Sequence, residues 1–585
     1  MTPADCTAKG MDVIMRGTFL GIEIGRTGIN MGQFGLDVTG HNIANVNTRG
    51  FTRQRIVQTA NDPFGSVQMV KPISTSNVGG GVRVQIHDQI RSAFLDRRFR
   101  TENTAASYWE TRTQELRSVE SFFDNVDERT SINNSLLRFF TAMDVMARDP
   151  VAGAPRKELQ TSALDMVQQF QSIHSGLVEL QRSQDRAIVA NVNTINELAE
   201  RLVTLNKAIY SFELTGQIAN DLRDQRNVLL DELSTLVDID YEENRDQWGG
   251  TVLTVSIGGH VLVDHDSRNL LGTSQTGTTN GLENTNMPYW VASINSSGVM
   301  TSHDPIALNL ASGRGELSAR IDVRDSTNVL RPGIPFHIEQ LNNLARALVQ
   351  HVNAVHREGF NDHPFQDSRN GINFFHEDNA FVTFTDTSGV TLSWSAENNR
   401  WENETGTLFF DSQEAAETAG FERHFDISQV TIANIRVSDE VMDSEYNIAA
   451  SSVQITRDGP PENQQRGNNE NMLALYALFS RNNLFLEMGD AAGTRVAIGS
   501  FDDFATGVRT SVASSTSSAR NNANTARSLT LAADNHRLSV AGVQLDEEMT
   551  HLIRFNHAYN GAARVVTAMD DALDRLINGT GRVGL

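Results

Sequence analysis

The chain has 585 residues, 39% hydrophobic and 21% charged, with a formal net charge of −23. That length accommodates roughly three or four domains of ~150 residues, and the acidic balance argues against nucleic-acid binding, which needs a basic face. A single cysteine, Cys6, excludes an intrachain disulfide, and there is no apolar run of the roughly 18 residues that a membrane-spanning helix takes.

Residues 1–16 contain no continuous apolar core, which argues against a cleaved secretory signal. They are expected to form a disordered extension, with Met11 and Met15 as alternative starts. From Phe19 to Ile43 the pattern is helical. Ile22, Ile29, Leu36 and Ile43 recur every seven residues, and Phe19 lies three before the first of them. This is one narrow apolar seam, punctuated by Gly21, Gly25, Gly28, Gly32 and Gly35. Each glycine costs an isolated helix up to ~1 kcal/mol relative to alanine. The helix is therefore expected to be weak alone and to need a partner, which its small residues would let come close.

The seam runs into "LDVTGHNIANVNTRGFTRQ", residues 36–54, where Asn42, Asn45 and Asn47 precede Gly50, Phe51, Arg53 and Gln54. Asn47 and Gly50 suit a left-handed helix stop, and Phe51 can anchor the turn. Simple capping would account for the amides. They could also satisfy backbone groups across a contact between chains.

Residues 84–148 read as helices, 156–213 as one or two long helices of a bundle, and 218–239 as another helix. Within 156–213, Leu159, Met166, Ile173 and Leu180 keep a seven-residue spacing. Ile188, Ile195, Leu202 and Ile209 continue it one residue out of phase. Near residue 240 the period becomes that of strands. "GGTVLTVSIGGHVLVD" reads as a hairpin, and strand-like runs continue to about 310. Residues 334–357 return to helix, and 372–457 are again strand-like in "FVTFTD", "GVTLSWSA" and "VTIANIRV". A linker follows at 457–471, and helix returns from 472.

At the far end Leu545, Leu552, Tyr559, Val566 and Leu573 are each seven apart, and Phe555, Ala562, Met569 and Leu576 follow three after four of them. This is a sustained heptad, with Asp546, Glu547 and Glu548 in the first turn, where carboxylates favour the helix dipole. Two narrow-seam helices at the two termini are expected to bury their stripes against each other, against neighbouring subunits, or both.

Catalytic and metal motifs are not found. His351 and His356 are five apart and fall on different helix faces; His260 and His265 flank a strand turn. The carboxylates at 238, 240, 242 and 243 lack the glycine and the closing glutamate of a calcium loop. The glycines at 79–81 lack the lysine and hydroxyl residue of a phosphate loop. No cofactor, metal site or catalytic residue is expected, and the chain is not read as an enzyme.

The stretch at 36–54 resembles the N-terminal signature of bacterial flagellar axial proteins, the rod, hook and hook-associated family, and is most similar to its FlgK-type junction members. "DLRDQRNVLLDELS" (221–234), "GELSARIDVRD" with "LNNLARALVQHVNAVHREGF", and the segment from "SVAGVQLDEEM" to "DALDRLI" are similar as well. Gly25, Gly32 and Gly35, where alanine is commoner, and the N-terminal extension depart from the pattern. The resemblance implies a multi-domain α+β fold. Terminal helices pair in an all-α, coiled-coil-like inner domain (17–57 with 540–585). An α-rich bundle follows (58–239 with 311–360 and 472–539), with β-rich modules at 240–310 and 361–471.

The resemblance also implies a flagellar, secreted or extracellular structural role, periplasmic where flagella are. It implies export unfolded through the flagellar type III apparatus and assembly as a ring between hook and filament. The implied partners are other copies of the chain, hook protein, the second junction protein, and an export chaperone on the C-terminal helix. Phe19, Ile22, Ile29, Leu36, Ile43, Leu545, Leu552, Phe555, Tyr559, Val566, Met569, Leu573 and Leu576 would form the assembly interface. Asn42, Asn45, Asn47, Gly50, Phe51, Arg53 and Gln54 would form the signature turn, its amides facing neighbours or the axial channel. Another axial protein (hook, distal rod or second junction protein) and an adhesin or enzyme on a flagellar scaffold are the alternatives.

Overall fold

A computed structural model describes residues 19–61, 79–123, 131–275, 282–364, 366–388, 390–456, 466–487 and 495–579. The expected N-terminal extension, Cys6 and most of the expected linker lie outside these residues.

Helix α1 (Leu20–Ala44) leads through a turn to a hairpin, β1 (Gln54–Ala60) and β2 (Val82–Gln89). Helices α2 (Ala93–Phe123), α3 (Ile132–Arg148), α4 (Gly153–Glu213) and α5 (Asn220–Leu236) follow. Next come six strands, β3 (Asp240–Arg245), β4 (Thr251–Ile257), β5 (His260–Asp264), β6 (Ser267–Gln275), β7 (Asn286–Ile294) and β8 (Met300–Ala307), paired in sequence order as one antiparallel meander. Helices α6 (Glu316–Asp325) and α7 (Ile334–Glu358) lead back to short strand β9 (Phe360–Asn361).

A second sheet, in the order β13-β12-β11-β10-β14, comprises β10 (Val382–Thr385), β11 (Thr391–Ser395), β12 (Arg400–Glu402), β13 (Phe409–Phe410) and β14 (Glu422–Phe425), with α8 (Gln413–Thr418) before its last strand. After α9 (Asp439–Asp443), β15 (Ala449–Ser451) pairs with β9. Helix α10 (Glu470–Ala477) and the hairpin β16 (Leu484–Glu487) and β17 (Arg495–Gly499) precede α11 (Phe501–Ala541) and α12 (Leu545–Asp574).

Helix α4 is one helix of 61 residues, about 90 Å long at about 1.5 Å per residue. Its phase shift marks a change of partners. Leu159, Met166 and Ile173 enter a core with α3, α7, α10 and the start of α11, whereas Ile188, Ile195 and Leu202 enter a second core with α5 and the six-stranded sheet. Where the stripe crosses over, Gln181 and Gln184 are buried, and Gln181 donates to the Arg324 carbonyl at 2.9 Å. The sheet's β4–β5 turn is Gly258-Gly259, both at positive φ, as a two-residue hairpin turn of the twisted kind requires.

"VTIANIRV" (430–437) departs from its expected strand. Val430, Ile432, Ile435 and Val437 insert into the first helical core, and side chains take over the duty of a strand neighbour. Arg346 Nε donates to the Val430 carbonyl at 2.9 Å, Gln171 Nε2 to that of Ile435 at 3.2 Å, and the Asn342 carboxamide oxygen accepts from Ile432 N–H at 3.0 Å. Apolar residues with a satisfied backbone need no sheet.

His356 pins this region. It is fully buried, with Nδ1 2.7 Å from the Ile372 carbonyl and Nε2 accepting from Ala449 N–H at 2.9 Å. Burial pushes its pKa down to about 4. The unfolded imidazole titrates near 6.5, so between these values the unfolded chain binds the extra proton. The contribution is full above pH ~6.5 and is lost toward pH 4, about 3 kcal/mol in all. His356→Leu is expected to be less stable at pH 7.5 but to lose less stability between pH 6.5 and 4, measured by denaturant midpoints at each pH. An unchanged slope would contradict this assignment. His337, likewise buried and pushed down to about 4, supplies a remaining slope.

Helices α1 and α12 pack antiparallel, with the glycines of α1 as the contact. A Cβ on Gly25 would lie 2.5 Å from Val566 Cγ2, on Gly28 2.9 Å from Ala562 Cβ, and on Gly32 2.9 Å from Tyr559 Cα. On Gly21 and Gly35 it would collide with Met569 and Phe555. Gly32 meets backbone, which cannot swing aside. Gly32→Ala is expected to overpack the pair by about 1–3 kcal/mol. Gly40→Ala, with nothing within 4 Å, is expected to stabilise the helix by up to ~1 kcal/mol. Thermal melts followed by helical circular dichroism compare the two; equal shifts of one sign would rule out the close approach.

Candidate assembly site at the terminal helices

The site begins where α1 stops. Asn45 N–H and Nδ2 both donate to the His41 carbonyl, at 3.1 and 3.0 Å, and Thr48 Oγ1 donates to Asn45 Oδ1 at 3.1 Å, closing the last turn. Gly50 then takes φ +81°, and a side chain there would strike Val228 on α5. Phe51 packs edge-on against His41 with ring centroids 5.3 Å apart.

Asn42 is buried and treats Gln54 as a strand would. Its Oδ1 accepts from Gln54 N–H at 3.0 Å, and its Nδ2 donates to the Gln54 carbonyl at 2.9 Å. The same Nδ2 lies 3.1 Å from Glu548 Oε2 on α12. Glu548 is almost wholly buried, and its other oxygen accepts from Arg53 Nε at 2.7 Å. Arg53 Nη1 reaches Glu547 at 2.6 Å, and Arg53 N–H donates to the Ala541 carbonyl at 2.9 Å, at the end of α11.

Helix α5 holds the next residues of the turn. The Asp224 carboxylate accepts from Thr52 N–H at 2.8 Å and from Thr52 Oγ1 at 2.6 Å, with Arg91 Nη1 3.4 Å away. Burial pushes the Asp224 carboxyl up to about 6, against the hydrogen bonds from Thr52 and the charge of Arg91. Gln54 Nε2 donates to Asp221 at 2.7 Å, and Gln54 Oε1 lies 2.9 Å from His87 Nε2, whose pKa burial holds below the ordinary histidine value.

The amides thus divide. Asn42 satisfies backbone groups of its own chain, Asn45 caps, and Asn47 is exposed. The seam residues Ile22, Ile29, Leu36 and Ile43 are half-buried and flank the glycine contact, while Phe19 is exposed. On α12 Phe555 is buried, and Tyr559, Ala562, Val566 and Met569 meet the glycines. Leu552 and Leu573 are half-buried; Leu545 and Leu576 are exposed. Thr52, Arg91, Asp221 and Asp224 were not among the expected site residues. Asp221 and Asp224, three apart on one helix face, were the available signal. Among the described residues no group of three or more metal-ligating side chains is present, and no helix is long and apolar enough to cross a membrane.

The sequence model of the flagellar hook-associated protein FlgK helical domain matches residues 116–375, and that of the flagellar basal body rod FlgEFG protein C-terminal region matches 535–579. Both matches, at the helical bundle and at the C-terminal helix, are to the class of flagellar axial proteins. Flagellar hook-associated protein 1 of Bacillus subtilis (strain 168) is 27% identical over 97% of this chain and 99% of its own length. That of Escherichia coli (strain K12) is 24% identical over 94% and 98%. The flagellar hook junction protein FlgK from Burkholderia pseudomallei has the same fold, with a TM-score of 0.52 at 14% identity, covering 76% of this chain and all of that one. Within the axial class, the near-full-length similarity is to hook-associated protein 1, or FlgK.

Asn42→Ala strands two buried backbone groups of Gln54 and is expected to cost about 2–3 kcal/mol. Asn42→Asp keeps the acceptor but sets a second carboxylate beside Glu548, and is expected to cost at least as much. Denaturant unfolding measures both; an Asn42→Ala variant within ~0.5 kcal/mol of the parent would show that the bridge is dispensable.

Proposed function

We infer that the chain is a structural adaptor of the bacterial flagellum, joining hook to filament. The correspondence with hook-associated protein 1 along nearly the whole of both chains carries this reading. The finer steps are proposals. The terminal helices pair as a coiled-coil-like inner unit and pack with neighbouring copies into a ring. Hook protein lies on one side, the second junction protein on the other. The chain leaves the cell unfolded through the flagellar type III apparatus, its C-terminal helix held by a chaperone, and works outside the cell. The inner unit (17–57 with 540–585), the bundle and the two β-rich modules are the matching division of labour.

Three observations support these steps. Five glycines make α1 a poor helix in isolation, so it is easily threaded and orders when partners arrive. The single cysteine leaves no intrachain disulfide to obstruct threading. On α12, Leu545, Met549 and Ile553 near its start and Val565 farther along stay exposed within one chain, apolar surface that subunit contacts would cover. No catalytic role is assigned.

A strain deleted for the gene is expected to carry bare hooks and to release flagellin into the medium, seen by electron microscopy and immunoblot. Missing hooks would move the protein to hook or rod. Normal filaments would overturn the adaptor reading.

A further inference from the structure

The loop between α6 and α7 presents Val329 and Leu330, 74% and 88% exposed, side by side. Their exposure is held in place. Ser326 Oγ donates to the Arg331 carbonyl at 2.7 Å and accepts from Asn328 N–H at 3.2 Å, Asn328 Oδ1 accepts from Leu330 N–H at 2.8 Å, and Gly333 N–H donates to the Ser326 carbonyl at 3.1 Å. Arg331 Nη1 ties the loop to Ser312 Oγ at 2.6 Å, and Arg112 Nη2 ties its end to α2 through the Pro332 carbonyl at 2.7 Å. A braced turn that offers two aliphatic side chains to water is a binding peg, since little conformational freedom is lost when it is covered.

A cleft of about 650 Å3 lies beside the signature turn, between it and helices α4 and α5. Its apolar lining is Phe51, Leu205, Val228 and Leu229. Its charged lining, Arg49 and Arg201 against Asp221 and Asp224, cancels in sign. A cleft of this size, with balanced charges and an apolar floor, suits an apolar insert. Peg and cleft cannot meet within one chain. Helix α2 touches the cleft's side through the Asp96–Arg91–Asp224 chain and the loop through Arg112, which sets them roughly 25 Å apart along its axis.

We propose that the Val329–Leu330 peg of one copy seats in the Phe51–Leu205–Val228–Leu229 cleft of the next. A peg and a socket on different faces make a head-to-tail contact, which propagates into a ring or helix instead of stopping at a dimer. This is the contact geometry that a ring of identical adaptors needs, so the inference rests on the ring reading above.

The test replaces Cys6 by serine and introduces Leu330→Cys and Val228→Cys, singly and together, in a motile strain. Isolated flagella are treated with a short bismaleimide and blotted for the chain. The double variant is expected to give a ladder of multiples of the chain mass, and each single variant only monomer. Monomer alone from the double variant in normally filamented cells would overturn the proposal, as would dimer from the Leu330→Cys variant alone. Leu330→Asp, on a site too exposed to disturb folding, is expected to lower filament-bearing hooks at least tenfold at unchanged secretion; unchanged filament counts would overturn the proposal. Bare hooks in the deletion strain together with either negative result would remove only the peg contact. A filamented deletion strain would remove the adaptor reading itself.

Discussion

The carboxamide of Asn42 is the point on which the terminal architecture depends. It pairs with both backbone groups of Gln54 and reaches Glu548, 506 residues away in the chain. No other side chain of its size does this. Leucine fills the volume but leaves buried backbone groups unpaired, and aspartate cannot donate to the Gln54 carbonyl. Because Gln54 also bonds α5 and β2 through its side chain, one amide joins the first helix, the last helix, the hairpin and the bundle.

The glycine contact and the polar hub have different tasks. Teeth spaced at 21, 25, 28, 32 and 35 against a heptad on α12 bring two backbones close, but a repeat of that kind can be occupied in more than one register. A slip by one heptad, about 10 Å along the axis, would carry Glu548 away from both Asn42 and Arg53 and leave a buried carboxylate without partners. Removing one partner of a buried charge is among the more costly changes available to a protein. The hub therefore selects the register, and the seam supplies the contact area. Asp224 and Thr52 make the corresponding choice on the other side of the turn, where the Gly50 backbone leaves no room for a side chain over Val228.

Much of this was legible in the residues. The heptad of α12, the long helix of the bundle with its change of phase, and the importance of the Asn-rich turn all follow from spacing and residue type. What the amides bonded to did not, because Gln54 and Glu548 become neighbours of Asn42 only through tertiary folding. The glycines of α1 were readable as a close-approach surface, yet the seam of Ile22, Ile29, Leu36 and Ile43 suggested the wrong centre line. Glycine carries no hydrophobic signal, so a contact made of glycines is displaced toward its aliphatic flanks in any periodicity count. "VTIANIRV" reads as strand because β-branched residues favour sheets. Its hydrogen-bond partners turned out to be the side chains of Arg346, Gln171 and Asn342, which local propensity cannot register.

A helix with five glycines on its packing face gives up helix propensity in exchange for proximity, and that exchange has value only when something lies close. Within one chain α12 supplies the partner for that face. The polar hub anchors only the base of the pair, and toward Phe19 the contact relies on side chains of α12 laid over bare backbone. Toward the tip, Phe19 at the start of α1 and Val565 and Met569 of α12 remain exposed to water. Stability in the pair is therefore graded, firm at the signature turn and weaker toward the tip. Covering these side chains with neighbouring chains would strengthen the end that the hub does not reach. On this argument the terminal pair of an isolated chain is anchored at its base by its own residues and depends on neighbours for the rest.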